Sequence, residues 1–240
     1  LFLLLLVLCW TPAIVRAAQI YVARQFSAAP DFFTVTPSTF REFLAQQVRF
    51  LPVVLVSLSA GAATIATDFA SGAFSVYLSK PISRLDYLIG KGLPVAAAIC
   101  AITLAPALAL LAVHTTLAPD FEFLRNAPWL PIAITAYSLF LALYFTLSVL
   151  AVSSLSRSGR VAGAGFAALV FGSELVARTL ATRRFGARPL PSFNGAAMDA
   201  GSWFFGDSAF QIASLVVVVL VLALSAFVLD RRLHSGEGAL

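Results

Sequence analysis

The chain has 240 residues, 60% of them hydrophobic and only 11% charged, with a mean hydropathy of +0.93. A soluble domain carries about a quarter charged residues, so this composition reads as a polytopic membrane protein rather than a soluble globule. The net charge of +5 is not gathered into a basic patch interleaved with aromatics, and nucleic-acid binding has no support.

A span needs about 20 mostly apolar residues to cross roughly 30 Å of hydrocarbon. Six segments qualify: about 1–20, 48–67, 93–114, 128–154, 160–177 and 209–229. The runs are long, continuous and non-alternating, so the fold class is all-α, a bundle of transmembrane helices rather than a closed barrel. The chain starts at Leu1 in an apolar run, LFLLLLVLCW. It is read as the remainder of a first span whose cytoplasmic flank lies outside this numbering; the alternative is the core of a cleaved signal. Arg16 is expected at the outer end of that span.

Residues 21–47 are too polar to span and rich in aromatics; Phe26, Phe32, Phe33, Phe40 and Phe43 suggest pieces lying at the membrane interface. Pro52 in the second span, and Pro94 and Pro106 in the third, each remove a helix hydrogen bond and introduce a kink. Between these spans lies DFASGAFSVYLSKPISRLDYLIGK, residues 68–91, longer than a bare connection requires. Residues 68–79 read as a short helix with Phe69, Gly72, Ala73, Val76 and Tyr77 on one broad face. Asp68 suits its positive pole and Lys80 its negative one. Pro81 stops it, and Arg84, Asp86 and Lys91 belong to a helical lead-in to the third span. Such an insert is either an interfacial helix with snorkelling cations or a docking knob for a soluble partner.

The fifth span opens with GRVAGAG, a small-residue face that lets helices approach closely, within one subunit or between two. Near its end Glu174 precedes Arg178 by four residues, the favourable order for a helix ion pair. An ionisable residue in a span is also a candidate for a gate or substrate path. Thr64, Thr103, Ser138, Tyr144 and Thr146 are expected to form helix–helix hydrogen bonds. Trp10, Trp129 and Trp203 are read as interface anchors, and residues 178–208 form a second polar and aromatic excursion.

Enzymatic chemistry finds little footing. Cys9 and Cys100 lie in apolar runs and read as packing residues. His114 and His234 are isolated and lack ligand-like neighbours, so no metal set emerges. No histidine or paired aspartate lies deep enough in a span to serve an intramembrane hydrolase. A phosphate-binding loop needs G-x-x-x-x-G-K-[S/T]; the one Gly-Lys pair, Gly90-Lys91, has Leu85 where the first glycine belongs and Gly92 after the lysine.

Asp68, Gly72, Leu78, Pro81, Ser83-Arg84 and Gly90-Lys91 follow one another in an order that resembles the cytoplasmic loop of ATP-binding-cassette type-2 transporter permeases. In that family the region after the second span commonly runs from an acidic residue to Gly, then Leu-Ser-x-Pro-x-Ser-Arg and later Gly-Lys. The six-span layout and the polar segments 21–47 and 178–208 fit the same pattern. The resemblance implies a single permease domain over 1–240 with six spans, external segments at 21–47 and 178–208, and a cytoplasmic coupling helix between spans two and three. It implies a multi-pass protein of the bacterial inner (plasma) membrane, with no ATPase of its own and no cofactor on this chain. ATP and Mg would reside on a partner ABC ATPase subunit, and a second permease subunit would complete a homodimer within the lipid bilayer. Residues Asp68, Phe69, Gly72, Phe74, Tyr77, Leu78, Pro81, Arg84 and Lys91 would carry the coupling; Glu174 and Arg178 are the candidates for gate or path.

Charge counts alone do not orient the chain. Lys80, Arg84, Lys91, Arg157, Arg160, Arg231 and Arg232 lie on the side of the insert; Arg16, Arg24, Arg41, Arg49, Arg125, Arg178, Arg183, Arg184 and Arg188 lie opposite. The compact SRSGR and LDRRL flanks hug span ends, where the positive-inside rule applies, and the resemblance places the insert inside. Two other classes stay open at this level. A non-transporting scaffold or assembly factor would use the same insert to hold a soluble protein. A secondary transporter would want mid-membrane ionisable residues and broken helices, and only the prolines favour it.

Overall fold

The computed structural model describes residues 2–25, 36–49, 51–73, 83–117, 122–183, 191–207 and 211–235. Every regular element among them is an α-helix: α1 (Phe2–Gln25), α2 (Pro37–Arg49), α3 (Pro52–Gly61), α4 (Ala66–Ser71), α5 (Arg84–Ile102), α6 (Leu104–Leu117), α7 (Glu122–Asn126), α8 (Leu130–Ser154), α9 (Gly159–Arg183), α10 (Phe193–Phe204) and α11 (Ile212–Ser235). Five stretches among the described residues are long and apolar enough to cross a membrane: Pro52–Ser71, Arg84–Thr116, Leu130–Ser154, Gly159–Leu180 and Ile212–His234. They make this a multi-pass membrane protein.

α8 is the axis of the bundle. It is apolar all round, as suits a helix with neighbours on most sides, and touches α2, α3, α4, α5, α6, α9, α10 and α11. α9 and α11 lie at the periphery and turn most of their apolar side chains outward. The glycines of the fifth span explain how α9 comes close. A Cβ on Gly159 would stand 2.8 Å from the Ala63 Cβ, Gly163 faces Ala62 and Leu58, and Gly165 faces Val152. The small-residue face therefore serves packing within the chain.

The segments read as external excursions join the core. Phe40 and Phe43 of α2 are fully buried, not spread along an interface. α2 has one strongly apolar face, and α10 packs against that helix as well as against α8 and α11. Tyr137 donates to the Ala197 carbonyl (3.0 Å) and Tyr144 to that of Phe193 (3.2 Å), fastening α10 to the axis. Arg41 pairs with Asp207 beyond the end of α10.

The prolines act differently from one another. Pro52 does not kink a helix; it opens α3, where its missing N–H costs nothing. Leu51 before it adopts φ 70° and separates α3 from α2. Pro94 sits inside α5, whereas Pro106 follows a break at Thr103 that divides α5 from α6. Trp10 of α1 donates to the Ala101 carbonyl beside that break (3.0 Å). This bond makes Trp10 an interhelical donor. Trp129 and Trp203 remain exposed, as anchors should.

Of the five hydroxyls expected to bond between helices, only Tyr144 does. Thr64 and Thr103 bond back to Ala60 and Ile99 of their own turns. Ser138 and Thr146 are buried without a partner among the described residues.

Candidate functional site

The second span is interrupted. α3 ends at Gly61, residues 62–65 form a turn, and α4 resumes at Ala66. Ser153 of α8 fills the interruption. Its hydroxyl donates to the Ala62 carbonyl (2.8 Å) and accepts from the amides of Ile65 (3.1 Å) and Ala66 (3.0 Å). One side chain thus satisfies three backbone groups that would otherwise be buried unpaired.

α4 then stops after Ser71, where Gly72 takes φ 70° as a left-handed cap. The single helix expected over residues 68–79 is therefore broken at its fifth residue. Gly72 terminates α4 and stays exposed. Residues Phe74, Tyr77, Leu78 and Pro81 of the expected coupling set lie outside the described residues, as does Lys80.

Asp68 sits in the first turn of α4, but it points at α5. Its Oδ2 lies 2.7 Å from the Lys91 Nζ and accepts a hydrogen bond from the Tyr87 hydroxyl at 2.7 Å. Tyr87 and Lys91 are four residues apart and so share one face of α5, with the ammonium 5.9 Å from the tyrosine ring centroid. The Asp68 side chain is 11% exposed and that of Lys91 26%. A carboxylate this withdrawn from water is costly to bury without such partners.

An apolar layer surrounds the pair. Tyr87 and Leu233 are buried together, with Phe69 and Leu88 against them. Phe69 and Leu88 also pack on a second cluster of Ile65, Leu150, Ala151 and Leu229. The foot of α11 thereby joins α4, α5 and α8.

The turn before α5 is built from the Ser83-Arg84 pair and Asp86. Ser83 Oγ accepts the Asp86 N–H, and Asp86 Oδ2 accepts the Ser83 N–H, both at 3.1 Å, a reciprocal capping box. Arg84 lies against the His234 ring of α11, 2.5 Å from Nε2. α5 then runs through the lead-in and the third span without a break until Thr103. The stretch Arg84–Thr116 has 33 residues, about 50 Å at 1.5 Å per residue, which exceeds the hydrocarbon thickness. Its first turns carry Leu85 and Ile89 outward, 69% and 61% exposed.

A family model described as ABC-2 family transporter protein matches residues 1–187. The chain belongs to the ABC-2 transporter family. No curated protein and no solved structure matches it.

The ABC-2 motif residues present in the structure are thus structural first. Asp68 and Lys91, separated by 23 positions, close on each other; Ser83 caps; Arg84 ties α5 to α11. Tyr87 escaped the sequence reading, although its place one turn before Lys91 was the available signal. Leu85 and Ile89 were hidden because exposure cannot be read from an apolar residue in an apolar chain. In this ABC-2 transporter protein Glu174 and Arg178 do pair, at 2.9 Å, with side chains 38% and 76% exposed. Glu174 also bonds to the buried Ser192 hydroxyl at the start of α10, and the pair lies far from the Asp68 cluster in sequence.

Proposed function

We propose that this chain is the membrane-spanning permease subunit of an ATP-driven exporter, coupled through residues 68–91 to ATP hydrolysis on a separate ABC ATPase. In this reading α1 is the sixth span; its 24 residues reach about 36 Å as a helix. The insert faces the cytoplasm of a bacterial cell, the protein works as a homodimer, and ATP and Mg stay on the partner.

The observation that carries the reading is the Asp68–Lys91 pair with its Tyr87 bond. A lever must not bend at its root. The pair and the Phe69–Tyr87–Leu88–Leu233 layer hold α4, α5 and α11 as one piece, and α5 extends that piece into the bundle as a helix. A push on the insert would move whole helices rather than a loop, the kind of rigid displacement that transport requires. Leu85 and Ile89 offer apolar surface beside that root for a docked partner.

The test uses the full chain, co-expressed with a candidate partner ABC ATPase and reconstituted in vesicles. The complex should co-purify and the permease should raise ATP turnover. Leu85→Asp changes an exposed position and should weaken both without unfolding the chain. A scaffold would bind the ATPase with no rise in turnover. Normal complex and coupling in Leu85→Asp, together with normal coupling in Lys91→Met, would remove the lever from consideration.

A further inference from the structure

A groove of about 490 Å³ runs along the foot of α11, lined by Leu155, Phe227, Val228, Arg231 and Arg232. Its position joins two chemistries. Leu155 ends the span Leu130–Ser154, while Phe227 and Val228 lie in the last turns of the apolar run of Ile212–His234. The walls are therefore apolar at the level where hydrocarbon gives way to headgroups. The rim is cationic. Arg231 folds back over Phe227, its guanidinium carbon 5.0 Å from the ring centroid, which holds the charge against the apolar wall. Arg232 stands beside it. Asp230, beside Arg231 on α11, is exposed and lies 3.3 Å from the His234 ring nitrogen.

We infer that this groove binds one anionic phospholipid of the surrounding leaflet. The headgroup phosphate lies between Arg231 and Arg232, and an acyl chain lies along Leu155 and Phe227. Charge complementarity selects the anionic headgroup; the apolar wall selects a lipid over a soluble phosphate. The size falls within the range of small-molecule sites, and basic pockets at the ends of spans suit such headgroups. Because α11 also packs on Tyr87 through Leu233, a lipid here would sit on the same helix foot as the Asp68 cluster. The inference stands whether or not the chain proves to be an exporter.

The test is native mass spectrometry of the purified full chain in detergent, titrated with phosphatidylglycerol and, separately, phosphatidylcholine. One phosphatidylglycerol should be retained in preference to phosphatidylcholine. Arg231→Ala with Arg232→Ala should weaken retention about 25-fold, on a scale of roughly fivefold per arginine near a membrane surface. Leu155→Trp fills the groove without altering charge and should weaken it too, which covers the case in which the double variant fails to fold. Arg157→Ala with Arg160→Ala removes the same charge outside the groove lining and should retain the lipid. Excess inorganic phosphate should not displace it. Equal losses in the two arginine pairs, an unaffected Leu155→Trp, or displacement by phosphate would each overturn the site.

Discussion

The Ser153 hydroxyl on the central helix donates to the Ala62 carbonyl at 2.8 Å, across the interruption of the second span. The same oxygen accepts the Ile65 and Ala66 amides. Ser153→Ala leaves one carbonyl and two amides buried without a partner. At about 1–3 kcal/mol for a buried group left unsatisfied, and with local relaxation, the variant should lose about 2 kcal/mol. A lowered unfolding midpoint of the detergent-solubilised chain checks this. Thr64→Ala, which removes only a bond within its own turn, should change the midpoint little.

Lys91→Met should be more damaging than the pair's net worth suggests. It strands the Asp68 carboxylate in a site where its side chain is 11% exposed. Breaking a fully buried pair costs about 3–5 kcal/mol; with Lys91 a quarter exposed, about 2 kcal/mol is expected. Asp68→Asn with Lys91→Met removes both charges and leaves the Tyr87 hydroxyl an acceptor, so stability should largely return. A double-mutant cycle on denaturation reads the coupling. Under the lever reading, the double variant is stable yet poorly coupled to ATP turnover.

Gly72→Ala meets no neighbour within 4 Å, so any effect comes from the backbone alone. Holding an L-residue at φ 70° costs about 1–2 kcal/mol. Gly72→Asn should be milder than Gly72→Ala, and Gly72→Val worse than either. The order Gly, Asn, Ala, Val in thermal stability, repeated in coupled ATP turnover, would identify the left-handed cap as the reason for the glycine.

The glycines of α9, and Gly90 of α5, should separate by what they face. Gly159→Leu drives a side chain into the Ala63 Cα and Cβ, which no rotamer relieves; overpacking of this kind costs about 1–3 kcal/mol. Gly172→Ala and Gly90→Ala face open space and should stabilise their helices by up to about 1 kcal/mol. Melting curves of the three variants, measured side by side, check the contrast.

Much of this protein was readable without coordinates because lipid imposes a one-dimensional rule. Each crossing must be a long apolar helix, so hydropathy along the chain located the spans that the structure describes to within a few residues at most ends. The order of Asp68, Gly72, Ser83-Arg84 and Gly90-Lys91 likewise pointed to the ABC-2 family. What lay beyond reach was every feature that depends on which helix stands beside which. Ser153 is one of many serines until α8 is placed against the turn at 62–65. Asp68 and Lys91 look like the two ends of an insert until α4 folds back on α5. Phe40 and Phe43 look like interface aromatics until α2 is packed into the core, with Phe40 against Phe123. In an apolar chain hydrophobicity says that a residue avoids water, but not whether lipid or protein takes the water's place; only the close packing of one helix on another decides that.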